Sequence, residues 1–267
     1  MKKLHKTVLL LLLFTLCAVS IGFSGEVIDR IQERGYIIIG TSADQPPLTM
    51  RKKNGELFGL DVDLSNFVAA AMGVKLGIEI MPFAQLLPAL ESGKIDMIIS
   101  GMTMRPERNL RVAFVGPYFV TGKGILTKNE NIEKTKSIAR LNNPEITIAA
   151  LKSSTSQQFV ELRIPEATLS TYESLDSAVK ALIGDESDAV IADFHSCAMY
   201  AMKYRDEGLV AGASQLSFEA LGFALPPNDP LFINWAHNLL VNLQGSGDLQ
   251  TLTELWFRDP TWLELLP

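Results

Sequence analysis

Cysteine and histidine are scarce in this chain: its 267 residues carry two cysteines, Cys17 and Cys197, and three histidines, His5, His195 and His237. Cys17 lies in an apolar N-terminal stretch, so beyond that stretch Cys197 stands alone, which excludes an intramolecular disulfide and a cysteine metal site. The setting Ser196-Cys197-Ala198 reads as a buried, inert thiol rather than a nucleophile. His195 and His237 are too few and too far apart to suggest zinc. Positive charge is also in deficit, with 24 Lys+Arg against 30 Asp+Glu, so the chain lacks the electrostatic footprint of a nucleic-acid or anionic-lipid binder. It has no repeat at solenoid spacing, no low-complexity tract and no Gly/Ser linker.

One long apolar run is present, at the start. Lys2, Lys3 and Lys6 precede Val8–Leu13, the run continues weakly to Ile21, and Gly22-Phe23-Ser24 offers small residues for cleavage. This predicts a secretory signal peptide over residues 1–24, since the run is short for a membrane span. Leu16 stands directly before Cys17, where lipoprotein processing needs a small residue, which argues against lipidation. Removing this segment leaves 243 residues with 21 Lys+Arg, a net charge of −9, and enough chain for one large domain or two lobes of about 100 residues each.

The mature chain alternates strands and helices. Helical spacing and terminal glycines predict helices over Glu26–Gly35, Asp61–Met72, Pro82–Gly93 and Leu175–Ile183, with strands at Tyr36–Gly40, Val74–Met81, Glu145–Leu151 and Ala189–Ala192. Leu48–Met50 and Leu57–Phe58, around Asn54-Gly55, predict a small hairpin. Val112–Tyr118, Gly124–Thr127 and Leu221–Leu225 read as strands, and Lys128–Asn143 as a surface connection with a short helix. Asp229-Pro230 is expected to cap a helix over 231–243, broken by Gly245-Ser246-Gly247, before a closing helix from Asp248 whose apolar face carries Leu252, Leu255 and Trp256. The fold class is α/β.

Chemistry concentrates in Asp96–Arg111, DMIISGMTMRPERNLR. A short buried strand runs into Ser100, Gly101 and Thr103, then into a helix start at Pro106 that carries Arg108. Such a junction suits a carboxylate or phosphate, and it reads equally as an ordinary turn with a solvated arginine. The hydroxyl-rich loop Lys152–Ser156 opens a helix it can cap. Asp193, at the end of a strand, can face a cleft or cap the helix that follows, and its position alone favours the cap.

The ordered series GTSADQPPL, GLDVDL, LLPALESGKIDMIISGMTMRPER, GPY, the Ser-Ser-Thr loop and SDAVIAD resembles the bacterial extracellular solute-binding proteins of family 3, over about Tyr36–Trp256. The resemblance implies a type II periplasmic-binding-protein-like fold: two α/β lobes joined by two crossover strands, with the ligand in the cleft between them. The first lobe would comprise residues 25–121 and 218–267, and the second 122–217. It also implies a periplasmic monomer that takes a small α-amino acid, needs no cofactor, and serves a membrane ABC permease.

Carried over residue by residue, the resemblance puts the α-carboxylate on Arg108, with Ser100, Thr103 and Gly101 beside it. Thr155, flanked by Ser154 and Ser156, would reach it from the second lobe. Asp193 would hold the α-ammonium and Phe83 would stack on the ligand, turning Arg108 and Asp193 into a zwitterion clamp. Relatives for cationic or amide side chains often have an acid where this chain has Ser42 and an aromatic where it has Gln45, which argues against lysine or arginine as ligand. Gln45, Phe58, Met102, Leu151 and His195 are candidates for the side-chain pocket, or for core. A periplasmic cyclohexadienyl or prephenate-type dehydratase on the same fold is the enzymatic alternative. It would need a cleft acid, yet Gln157 and Gln158 follow the clamp, and Asp44 is the remaining candidate. A soluble ligand-presenting partner of a membrane sensor is the third reading.

Overall fold

The structure is a computed structural model and describes residues 25–128, 138–258 and 260–266. The expected signal peptide and most of the expected surface connection at 128–143 lie outside the described residues.

Two five-stranded sheets organise the chain. The first has the order β4 (Lys75–Ile80), β1 (Tyr36–Thr41), β5 (Met97–Ile98), β12 (Glu219–Leu225) and β6 (Ala113–Thr121), parallel among β4, β1 and β5, with β12 antiparallel to both of its neighbours. The second has the order β11 (Val210–Ala211), β7 (Lys123–Thr127), β10 (Ala189–Asp193), β8 (Thr147–Leu151) and β9 (Thr168–Tyr172), parallel from β10 to β9 and antiparallel across β7. The hairpin β2 (Met50–Arg51) and β3 (Leu57–Phe58) stands apart, as its turn chemistry predicts.

Helices cover both faces of each sheet, because central strands such as YIIIG and AVIAD are apolar on both sides. On one face of the first sheet, α1 (Glu26–Arg34), α2 (Leu60–Met72), α8 (Pro230–Ser246) and α9 (Asp248–Arg258) bury Ile31, Leu64, Phe232 and Leu249. On the other, α3 (Phe83–Glu91) packs Leu86 and Leu90 against Ile98. The second sheet has α6 (Leu175–Ile183) and α7 (Phe194–Lys203) on one side and α5 (Thr155–Arg163) on the other.

The two sheets are joined where β6 ends at Thr121 and β7 begins at Lys123, and where β12 returns at Glu219. Thr121 pairs with Glu219, so the crossovers run side by side. A Cβ at Gly122 would lie 2.0 Å from the Ser217 carbonyl oxygen, so only glycine lets these strands pass so close.

Several elements differ from expectation. The helix after Pro106, α4 (Pro106–Asn109), is a single four-residue turn, so the site it suggested has Arg108 but no helix dipole of consequence. Strand β6 runs on to Thr121 through Pro117, which an edge strand tolerates. Helix α8 continues through Gly245 and Ser246 and stops at Gly247, which alone of the three adopts the left-handed conformation. Leu255 is exposed rather than on the buried face of α9, and Leu249 is buried in its place.

Candidate functional site

Between the two sheets lies a cleft cavity lined by Gln45, Phe83, Gly101 and Thr103 from the first lobe and by Leu151, Ser154, Thr155, Leu175, Asp193 and Ser196 from the second. Lys123, at the crossover, lines it too. The lobes are closed: Thr103 Oγ1 and Thr155 Oγ1 meet at 3.3 Å, Ser196 Oγ donates to the Pro46 carbonyl at 2.7 Å, and the Leu175 N–H donates to Asp44 Oδ2 at 2.6 Å. The remaining space is about 20 Å³, roughly one water molecule.

Arg108 is 9% exposed. It donates from Nη1 to the Thr103 carbonyl at 3.0 Å and from Nη2 across the cleft to the Ser153 carbonyl at 3.3 Å, and its Cζ lies 5.7 Å from the centre of the Phe83 ring. Burial lowers its pKa to about 10, with Arg105 adding repulsion, so it remains a cation at neutral pH. Among the described residues it has no ion-pair partner, which leaves a buried guanidinium that a carboxylate would complete.

Asp193 occupies the N-cap position of α7, yet its side chain makes no cap bond. This overturns the cap favoured by position alone. Oδ1 instead accepts a 2.6 Å bond from Lys123 Nζ. Lys123 is the residue sequence reasoning missed. Its signal was a lysine inside the otherwise uncharged strand KGILT, directly after the crossover glycine.

The remaining candidates divide. Thr103, Thr155 and Phe83 face the cavity. Ser154 lines it as well, but its hydroxyl is the N-cap of α5, accepting from the Ser156 and Gln157 N–H groups. The Gly101 N–H points inward, donating to Asp61 Oδ2 at 2.9 Å, so this backbone donor is already used. Gly101 adopts φ +57°, which side-chain-bearing residues rarely take, and a Cβ there would also press on Gln45 Oε1 at 2.8 Å. Ser100 and Ser42 bond each other and do not line the cavity; Ser100 Oγ also accepts from the Ser42 N–H at 3.0 Å. Gln45 reaches Ser42 Oγ through Nε2 at 3.0 Å.

Of the side-chain pocket candidates, Gln45 and Leu151 line the cavity, whereas Met102 is core. Phe58 packs on Trp256 and Trp262, and His195 sits among Phe119, Phe194 and Phe257 with Nδ1 3.1 Å from Thr121 Oγ1. Asp44 is an inter-lobe contact at the N-terminus of α6 and lies outside the cavity lining.

The sequence model of the bacterial extracellular solute-binding proteins, family 3, matches residues 37–259. The chain belongs to this family. Among family 3 relatives, it is 22% identical to the L-cystine-binding protein of Escherichia coli K12, covering 86% of each chain. It is also 22% identical to the cyclohexadienyl dehydratase of Pseudomonas aeruginosa, covering 96% of each. The structure is similar to that of an ABC-transporter binding component from Wolinella succinogenes complexed with lysine, with a TM-score of 0.82 and 35% identity, covering 86% of this chain and 99% of that one.

Proposed function

We propose that this family 3 protein is an exported receptor that captures a small α-amino acid, or a close carboxylate analogue, between two closing lobes and delivers it to an ABC-type permease. The moving bodies are residues 25–121 with 218–267, and residues 122–217, turning about the paired crossovers. The observation that carries this reading is Arg108: a buried guanidinium outside the cavity lining itself but beside its wall residues Thr103 and Phe83, held by two backbone carbonyls from opposite lobes and without an ion-pair partner among the described residues. The ligand's carboxylate takes Arg108, Thr103 and Thr155 hydroxyls bond it from both lobes, and Asp193 meets the ammonium. Ligand contacts that exist only when the lobes close shift the equilibrium toward the closed shape, which the permease reads.

Transport rather than dehydration is favoured by the cavity's single carboxyl side chain. That group, Asp193, is in an ion pair with Lys123, whereas protonating a leaving hydroxyl needs a free acid beside the substrate.

A thermal-shift screen of the ligand-stripped mature protein against the proteinogenic amino acids and cyclic carboxylates tests the reading. A ligand at a hundred times its Kd adds about 2.7 kcal/mol of stability. Stabilisation by amino acids that disappears in Arg108→Ala supports it. A response to a cyclic carboxylate alone, with turnover, replaces it with the enzyme.

A further inference from the structure

Lys123 and Asp193 stand directly opposite each other in the antiparallel ladder between β7 and β10, so their side chains share one face of the sheet. Their ion pair is therefore a consequence of strand register. The position is fixed twice more from the second crossover, because the Lys123 N–H donates to Ser217 Oγ at 3.0 Å and its carbonyl accepts from the Leu216 N–H at 2.8 Å. Lys123 is 2% exposed, and its ammonium lies in the wall of the cavity, on the carboxylate that an α-ammonium would use.

A second acid stands behind it. Glu219 Oε2 forms a longer ion pair with Lys123 Nζ at 3.8 Å, beyond hydrogen-bond reach, and has no hydrogen-bond partner among the described residues, while Oε1 accepts from Ser217 Oγ at 3.1 Å. A buried carboxylate oxygen without a hydrogen bond is costly unless something uses it.

We infer that Lys123 sets the ligand class of the cleft: its ammonium substitutes for a ligand ammonium on Asp193, so that the site admits small carboxylates lacking an α-ammonium, such as 2-oxo acids, alongside α-amino acids. The inference rests on the receptor reading, in which Arg108 takes the carboxylate. In a cleft whose aspartate depended on the ligand for its counter-charge, a 2-oxo acid would leave that aspartate buried and unpaired. Here Asp193 keeps a partner whichever ligand enters. An α-amino acid brings its own ammonium and takes Asp193 only by moving Lys123 off it. Glu219 Oε2 is the seat for the displaced lysine, and the shift needed is short. The two ligand classes thus use two positions of one side chain.

The test compares each proteinogenic amino acid with its corresponding 2-oxo acid, by calorimetric titration of the ligand-stripped mature protein and of Lys123→Gln/Glu219→Gln. The double variant removes one charge of each sign, and its circular dichroism and thermal unfolding report whether it folds. The wild-type protein is expected to bind a 2-oxo acid within about tenfold of the matching amino acid, or more tightly. The variant should shift that preference toward the amino acid by about a hundredfold, as expected for stranding a buried carboxylate. Glu219→Gln alone should weaken the amino acid and spare the 2-oxo acid. A purely structural lysine would change both ligands together. Wild-type protein that takes amino acids and rejects every 2-oxo acid, or a preference unaltered in the variant, overturns the inference and leaves the receptor reading standing. If no member of either class binds in an Arg108-dependent way, the receptor reading itself fails.

Discussion

Asp61 shows how one residue supports the site without entering it. The motif GLDVDL places it in the first turn of α2, fully buried, where Oδ1 accepts from the Tyr118 hydroxyl at 2.9 Å and Oδ2 from the Gly101 N–H. Those bonds hold the turn between Ser100 and Thr103, on which the Arg108 carbonyl contact depends. Burial outweighs them and raises the carboxyl from 3.8 to about 6. Because the folded pKa lies above the unfolded one, the Asp61 contribution is complete below pH 3.8 and is lost as pH rises through about 6. A two-unit shift corresponds to on the order of 3 kcal/mol. Urea unfolding of Asp61→Asn should therefore show a smaller loss of stability across that window than the wild type. A residual slope is expected from Asp44 and Asp63, which burial also raises. An unchanged slope would remove Asp61 from the account. The motif's presence was legible in the sequence, but its role was not, because nothing local to GLDVDL reveals that Gly101 and Tyr118 converge on it. Lys123 and Glu219 escaped for the same reason: their meaning lies in the register of β7 against β10 and in the pairing of the two crossovers. Thr103, Thr155 and Phe83, named from motifs on continuous stretches, do line the cavity, and Arg108 lies beside it.

Among the elements, helix ends were the most legible features, since their signals are local. Gly35, Gly73 and Gly247 each take the left-handed conformation that ends α1, α2 and α8. The strands missed were β9, TLSTY, and the two-residue β11, both at sheet edges. TLSTY has a single aliphatic residue, Leu169, and β11 only two residues, so neither shows a run or an alternation to detect. Helix α8 overran the expected break because an exposed Gly245 costs only about 1 kcal/mol in a helix, which packing elsewhere offsets. Asp229 had been read as the cap of α8 alone, and it caps two helices. Oδ1 accepts from the Phe232 N–H at 2.8 Å, and Oδ2 accepts from the Val27 N–H at 2.9 Å at the start of α1. Since each cap is worth about 1 kcal/mol and the carboxylate is buried, Asp229→Ala should cost about 2–4 kcal/mol in chemical denaturation. Asp229→Asn, which keeps one acceptor, should recover about half. A loss confined to one cap's worth would mean that α1 is held by packing instead.

For the whole molecule, closure and access oppose each other. The lobes are joined by Thr103 with Thr155, Arg108 with the Ser153 carbonyl, Ser196 with Pro46 and Leu175 with Asp44, and Leu151 packs among Phe83 and Met81 of the other lobe. All of these contacts break when the lobes part. On the receptor reading proposed above, opening comes first, because the closed cavity leaves about 20 Å³. Thr103→Cys/Thr155→Cys makes this order measurable, since the two hydroxyls already meet at 3.3 Å across the cleft. Cys197 is buried, and its thiol is pushed up to about 12 by that burial, so it should not compete for the new bond. Oxidised, the variant is held shut and should lose ligand binding by about tenfold or more, with a smaller radius of gyration than the ligand-free wild type. Reduction should restore binding, short of wild-type affinity by the two lost hydroxyls. Equal binding in both redox states would mean that ligand reaches Arg108 without the lobes parting, and the hinge at Gly122 would then have no part in capture.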